Sequence, residues 1–425
     1  MRGFFALLLV LVGNVVFAQI KTYKLGELEG SSTAGASISV SPKNNKNIIA
    51  YAAGKLYASN DAGTTWKESP LQFPAELKGT PRVVGDVKGN FTVVYSTFDQ
   101  ILVRHSGDAG RSWGEPVIVA AAAGRHQYNP GITANPKKEE VMITWTQSGQ
   151  VGMESDTCKS TIMMSSSGNG KKWSKPITVN QNPGNCVDDD QTVRGSMPGI
   201  SADNKVFITW AGQNSMFYDR SYDGEMWIST DLAITEQVGG WGLTIPGFGK
   251  IANTPVFAID NSSSRMHGTL FLTYSDLESG QDDADIWMTR SVNKGDNWTS
   301  AARINQDKPG HAQFLPRICV DPVTSFVYLL YYDRRDHSDN QTDVYIAWSS
   351  DGGNQFKERK LTEKPFVADM NSTDYMTNFI DISVHKGLIV PIWTSSENGK
   401  QQVWTAALSQ DDLTTAAATD KPADK

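Results

Sequence analysis

Several short stretches of this 425-residue chain carry side chains able to handle a charged or hydroxylated small molecule. They are Arg125-His126-Gln127-Tyr128, Asp188-Asp189-Asp190 with Arg194, Asp276 with Glu278, Asp333-Arg334-Arg335-Asp336-His337, and Asp374-Tyr375. Trp241 stands alone among glycines in GGWG, and His311 and Gln313 follow later. Guanidinium forks hold a planar carboxylate through paired N–H bonds, and a carboxylic acid can deliver a proton to a departing oxygen. The aspartates at 188–190, and Asp336, Asp339 and Asp343 in DHSDNQTD, present hard oxygens of the kind calcium takes. A structural calcium ion is thus left open, beside the plainer reading of solvated loop charges, and no other cofactor is expected. The 6 histidines are scattered, so no transition-metal cluster forms on sequence grounds. No G-x-S-x-G, H-E-x-x-H or phosphate-cradling glycine loop occurs.

The elements that must position these residues begin with an address. Residues 1–18, MRGFFALLLVLVGNVVFA, place Arg2 before an apolar run and a V-x-A pattern, which reads as a secretory signal peptide cut after Ala18. The run is short for a bilayer span, and no later segment is long and apolar enough for one. The expected protein is secreted, periplasmic or extracellular. Export makes Cys158 and Cys186, both in polar loop sequence, a disulfide pair, and leaves Cys319 in an apolar run as a free thiol. With 39% hydrophobic and 20% charged residues the chain is an ordinary globular one; its net charge of −7 offers no basic face for nucleic acid. Residues 409–425, small and polar, read as a flexible tail.

Between these ends the chain repeats itself. Ser59-Asn-Asp61-Ala-Gly63-Thr-Thr65-Trp66 recurs as Ser106 to Trp113. Degenerate copies run from Ser166 to Trp173 with Gly168 in the Asp place, from Ser291 to Trp298 with Asn293 there, and from Ser349 to Phe356. A copy one residue short spans Ser221 to Trp227. Each reads as a tight turn between strands: Asp caps backbone N–H groups, Gly supplies a positive φ, and the aromatic ring plugs the turn. Upstream lie β-rich runs ending in an aromatic, at Tyr51, Tyr95, Trp145, Trp210, Tyr274, Tyr332 and Trp393. A Pro-x4-Asp/Asn spacing precedes five of them: Pro81/Asp86, Pro130/Asn135, Pro198/Asp203, Pro255/Asp260 and Pro316/Asp321.

Each repeat therefore reads as strand A (Pro start, Asp end), strand B (aromatic end), strand C, the Asp-turn and strand D. Four-stranded units repeated radially are propeller blades. The fold expected over residues 19–408 is an all-β, seven-bladed β-propeller of antiparallel blades, with six blades and an extra hairpin as the alternative. The seventh unit lacks a fourth strand, which IKTYKLG near the N-terminus could supply. Of the 12 tryptophans, Trp66, Trp113, Trp173, Trp227 and Trp298 close turns; Trp145, Trp210 and Trp393 end B strands; Trp287, Trp348 and Trp404 fall in C strands. Only Trp241 stands outside the register. In a propeller the D–A and B–C connections open on one face, and the stretches named first all fall there. Arg104, Arg220 and Arg290, just before Asp-turns, fall on the opposite face.

At S-x-D-x-G-x-T-W the chain resembles the sialidase (BNR/Asp-box) β-propeller superfamily, over about residues 30–408, and more narrowly its secreted bacterial sialidase-like members. The resemblance implies an exo-α-sialidase-type glycoside hydrolase acting on terminal acidic sugars: three arginines on the substrate carboxylate, a Tyr–Glu nucleophile and an Asp acid/base. Carried over, Arg125, Arg194 and Arg334 or Arg335 would hold the carboxylate and Tyr375 would attack. Glu278 would assist, Asp189 would protonate the leaving group, and Trp241 would belong to the substrate rim. For Arg334 and Arg335 a second reading stands, as ion pairs between blades. The family's F/Y-R-I-P motif is absent; Pro81-Arg82 and Pro316-Arg317 reverse its order and fall within strand A. The alternative function is a non-catalytic extracellular propeller binding glycan or protein. Either way the partner is a glycan or glycoprotein, and the protein is expected to be a monomer.

Overall fold

The computed structural model describes residues 20–29, 35–150, 153, 155, 157–223, 227, 230–367 and 378–417. The expected signal peptide, Asp374 and Tyr375 lie outside the described residues. Seven antiparallel sheets, blades I to VII in chain order, surround a central axis. Their innermost A strands are Ala36–Val40, Lys78–Gly85, His126–Ala134, Arg194–Ile200, Val256–Ile259, Gln313–Val320 and Ile380–His385. Each A strand meets the next, and the last meets the first, so the ring is closed. The fold is the seven-bladed one.

Closure uses the N-terminus. Thr22–Glu29 pairs with Lys400–Ala406 as the outer strand of blade VII, so strands from both ends of the chain share one sheet. An exposed sheet edge is removed at the only place where the ring could open. Across the same seam, Asp381 Oδ2 accepts the Ile38 N–H at 3.1 Å and Ser383 Oγ accepts the Val40 N–H at 2.9 Å.

The repeat fixes the blades as expected. All seven B-strand aromatics are buried, Trp145 and Tyr332 completely, each contributing about 2–3 kcal/mol of apolar burial. In the first Asp-turn Ser59 Oγ donates to Asp61 Oδ1 at 2.8 Å and accepts the Gly63 N–H at 2.9 Å. Asp61 in turn accepts the Thr65 N–H at 2.9 Å and the Thr65 hydroxyl at 2.6 Å. These bonds hold its carboxyl well below the usual carboxylate range. Asp86, Asn135, Asp260 and Asp321 cap the A–B turns through backbone N–H groups two residues on. Arg220 and Arg290 reach the neighbouring blades' Asp-turns, Arg220 pairing with Asp296 at 2.6 Å and Arg290 donating to the Gly352 carbonyl at 2.5 Å.

Four details differ from expectation. In blade III the turn uses Ser167 and Asn169, not Ser166 and Gly168: Asn169 Oδ1 accepts the Lys171 and Lys172 N–H groups at 2.9 and 3.0 Å. Pro81, Pro130 and Pro316 do not open their strands but sit where the A–B register slips, because a residue without an N–H fits a bulge better than a ladder. The connection between blades IV and V folds into a hairpin, Gly242–Ile245 with Gly249–Ala252. Finally, the expected tail contains an α-helix, Gln410–Ala417. Ser409 caps it, its Oγ accepting the Asp412 N–H at 3.1 Å, while Asp412 Oδ2 accepts the Ser409 N–H at 2.9 Å. Leu413, on this helix, is fully buried.

Candidate functional site

The bulges in the A strands shape the axial mouth on the face formed by D–A and B–C connections. Left-handed backbone recurs there in five blades, at Gly79, Asn129, Gly195, Leu315 and Asn378, with φ from 52° to 69°. For Leu315 this conformation is costly, of order 1 kcal/mol or more. Gly131 permits close approach, since a Cβ there would lie 2.5 Å from the Ser196 carbonyl oxygen.

Two shallow adjoining depressions open to solvent at this mouth, and Thr254, Arg317 and Asn378 line both. Arg82, Asn129, Gly195, Ser196 and Met197 complete one; Asn253, Ser275, Leu315 and Ile380 help form the other. Arg82 and Arg317, on blades II and VI, converge on one group. Arg82 Nη1 donates to Asn378 Oδ1 at 3.3 Å, and Arg317 Nη2 donates to the same oxygen. Arg317 Nε also donates to the Ile380 carbonyl at 3.0 Å. Asp381 lies 3.4 Å from Arg82 Nη1 and is the only carboxylate paired with either arginine among the described residues. Burial and then Arg82 push the Arg317 guanidinium down to about 10, with Asp381 pulling the other way. Two guanidinium ions thus face one carboxylate in a partly dehydrated site. That excess of positive charge is what an anionic ligand group would neutralise.

Arg194 stands behind this wall. Its guanidinium lies 4.5 Å from the Trp241 ring and 5.7 Å from that of Tyr128, and pairs with Asp188 at 2.6 Å. With the Asn129 carboxamide turned to satisfy both groups, its oxygen accepts from Arg194 Nε at 3.2 Å and Nη2 at 3.0 Å. Arg194 thereby fixes a residue that lines the depression. Trp241, expected at the rim, is fully buried in the core, packed with Ala211 and Met216 of blade IV, Leu272 and Tyr274 of blade V, and Ala252. Asp190 holds the hairpin between blades IV and V by accepting the Trp241 N–H at 2.8 Å. The Cys158–Cys186 disulfide, formed as expected, ties the loop before it to the B–C connection of blade III; Cys319 is free.

The other expected site residues are dispersed around the rim, and none lines the depressions. Arg125 is exposed on the turn before blade III. Asp189 is exposed and accepts from the Gln191 N–H at 2.9 Å and Asn185 Nδ2 at 3.1 Å, bonds that shape its own loop. Glu278 is exposed on the B–C connection of blade V, its carboxyl raised by partial desolvation and then by Asp276. Asp276 itself is buried, accepting the Val238 and Gly239 N–H groups at 3.0 and 2.8 Å.

Arg334 donates to Thr342 Oγ1 at 3.0 Å and the Pro246 carbonyl at 2.5 Å, and burial lowers it to about 10. Arg335 is an ion-pair residue, within its own blade rather than between blades: it meets Asp333 at 2.6 Å and Glu358 at 2.8 Å. The aspartates weighed for calcium are likewise engaged, Asp339 with Gln341 and Asp343 with His337 and Thr362. No group of three metal-ligating side chains occurs among the described residues, and no described helix is long and apolar enough to cross a membrane.

Arg82 and Arg317 were legible as anomalies. In the Pro-x4-Asp register the residue after Pro is Gly131, Gly199 or Val256 in three blades, and arginine only in blades II and VI. A scaffold position that breaks its own small or apolar pattern with a charge is a site signal.

No protein-family model and no curated protein matches the chain. Among solved structures it is similar to the Hadza microbial sialidase Hz136, at 13% identity and a TM-score of 0.51, over 86% of this chain and 73% of that one. A NanB sialidase variant from Streptococcus pneumoniae follows at 9% identity and TM-score 0.49, covering 88% and 83%. The GH93 α-L-arabinofuranosidase of Fusarium graminearum has 15% identity and TM-score 0.46, covering 81% and 99%. At such identities the likeness is one of fold, and it agrees with the fold that the Asp-box repeat implies.

Proposed function

We propose that this protein is a secreted propeller that takes the carboxylate of a terminal acidic sugar into its axial mouth, as an exo-α-sialidase-type glycoside hydrolase would. The observation that carries the reading is the convergence of Arg82 and Arg317 on Asn378, with Asp381 as their one paired carboxylate among the described residues. In this reading the two arginines replace Arg125 and Arg334 as the primary clamp, and Arg194 supports them through Asn129. Tyr375, three residues before Asn378 in the chain, would supply the nucleophilic hydroxyl. A neutral tyrosine avoids the repulsion that an ionised nucleophile would meet beside the substrate carboxylate. Glu278, with its raised carboxyl, would serve in proton transfer; Asp189, bound into its own loop, is the weaker candidate for the acid.

Recognition without hydrolysis is the second reading. It is favoured because Asp381 is already engaged by Arg82 and the Ile38 N–H, whereas glycoside hydrolysis needs two cooperating groups. The test is turnover of a fluorogenic sialoside beside sialyllactose binding by calorimetry, with Tyr375→Phe and Arg317→Met variants. Turnover lost in both variants supports the hydrolase. Binding without turnover leaves recognition, and absence of both sinks the acidic-sugar reading.

A further inference from the structure

The net charge of −7 is unevenly spread around the ring. Residues 35–180, which build blades I to III, carry 16 Lys and Arg against 11 Asp and Glu, whereas residues 181–417 carry 18 against 31. Much of the basic surplus sits at the A–B and C–D turns of blades I to III, on the face opposite the axial mouth.

One local device places it there. In an Asx-capped turn a side-chain oxygen holds the N–H two or three residues on, which fixes the capped residue at the tip. In blades I to III the capped residue is repeatedly lysine. Asn44 Oδ1 accepts the Lys46 N–H at 3.3 Å and Asp86 Oδ1 the Lys88 N–H at 2.8 Å. Asn135 Oδ1 accepts the Lys137 and Lys138 N–H groups at 2.9 and 3.2 Å, and Asn169 does the same for Lys171 and Lys172. Most of these caps are asparagine, so they set no negative charge beside the ammonium groups. In blades V and VI the caps Asp260, Asp321 and Asp351 are acidic and hold Ser262, Val323 and Asn354 instead.

The turns adjoin. A Cβ at Gly89 would lie 3.0 Å from Lys43 Cδ, and Asn90 Nδ2 donates to Glu139 at 3.1 Å across blades II and III. All six capped lysines are exposed, and among the described residues only Lys138 of the six is in an ion pair, with Glu140 at 3.1 Å. The face also carries Asp61 and Asp108, each accepting from hydroxyl groups of its own turn, while Asp86 is buried.

We propose that this sector docks on the phosphodiester headgroups of an anionic lipid bilayer. Turn tips at one end of packed blades make a broad face rather than a cleft, which suits a planar partner. Lysines supply point charges without the bidentate forks used to read nucleic acid. The largely exposed aromatics, Phe98 and Tyr222, lie on the mouth face and on blade IV, so the sector has no stacking platform for bases. The acidic surplus of blades IV to VII orients the molecule with blades I to III toward the membrane and the mouth away from it. The proposal does not depend on what the mouth binds.

The experiment sediments the full mature chain with vesicles of phosphatidylcholine alone, or with about 30% phosphatidylglycerol, at about 0.1 and 0.5 M NaCl. The parent should bind only the anionic vesicles and leave them at the higher salt. Each lysine removed should lower partitioning about fivefold, so Lys88→Gln/Lys137→Gln/Lys171→Gln should lower it roughly a hundredfold. Lys55→Gln/Lys78→Gln/Lys159→Gln removes the same charge from the mouth face and should stay within about threefold of the parent. Equal binding to both vesicles, or equal losses in the two triple variants, would overturn the proposal. Binding of duplex DNA or dextran sulfate without binding of any vesicle would overturn it too, and assign the sector to a soluble polyanion.

Discussion

Replacing Arg335 by methionine separates two roles that the sequence left open. Its guanidinium makes charge-assisted bonds to Asp333 through Nε at 2.8 Å and Nη2 at 2.6 Å, and to Glu358 through Nη1 at 2.8 Å and Nη2 at 3.1 Å. It also packs 4.3 Å from the Tyr345 ring. Burial works to lower its pKa, but the bonds to Glu358 and Asp333 outweigh that and hold it above its usual range. The Asp333 and Glu358 side chains are 0% and 8% exposed, so Arg335→Met strands two carboxylates away from water.

Breaking such a pair costs about 3–5 kcal/mol. The lower half is expected, because Gln313 Nε2 still reaches Asp333 at 3.2 Å and the Tyr331 hydroxyl still donates to Glu358. A chain of about 390 folded residues gains roughly 0.8 kcal/mol/K of unfolding entropy, so Tm should fall by about 4–5 °C. Scanning calorimetry measures this, and Asp333→Asn with Glu358→Gln in the same chain should restore part of the loss. Sialyllactose affinity at 25 °C should stay within about twofold of the parent. An unchanged Tm together with a tenfold loss of affinity would refute the assignment and make Arg335 a ligand clamp.

Three further outcomes follow from the same geometry. His105 and His385 have pKa values lowered from 6.5 by burial, so below that value the unfolded chain takes up protons the folded one refuses. Stability is therefore fully present above pH 6.5 and declines as pH falls through that value; urea midpoints at about pH 7.5 and 5.5 should show the drop, and His105→Gln should shrink it. Cys158→Ser with Cys186→Ser opens a loop closed over a separation of 28 residues, which should cost roughly 3.5 kcal/mol and lower Tm by about 4–5 °C. Deleting Thr22–Glu29 exposes the edge of Lys400–Ala406; the truncated chain should aggregate on concentration by light scattering, and a synthetic peptide of that strand should suppress it.

The scaffold was readable because it is written in local chemistry that repeats. Ser59-x-Asp61-x-Gly63 satisfies its own backbone, so its turn looks the same in sequence and in space. The closing strand was readable for a different reason, since a seventh unit short of one strand needs an edge partner. Function was less legible because it depends on departures from the repeat. Arg82 and Arg317 break the small or apolar pattern of their register, but it is the bulges beside Pro81 and Pro316 that bring them to the axial wall. Trp241 looked free because it lies in a connection outside the Asp-box register, whereas it packs between blades IV and V. Ser409 and Asp412 did carry a capping signal, masked by a small, polar composition that reads as a tail.

In the proposed function the axial mouth holds a carboxylate through Arg82 and Arg317. Isothermal titration of N-acetylneuraminic acid and its methyl ester into the parent, Arg82→Met and Arg317→Met chains tests it most directly. The ester keeps the sugar and removes the charge. A charge-assisted guanidinium pair lost from a partly buried site should cost about 2–3 kcal/mol, or roughly 30- to 150-fold in Kd. The parent should prefer the acid by at least that margin, and each variant should lose most of the preference. Equal affinity of the parent for acid and ester, or an undiminished preference in both variants, would contradict it.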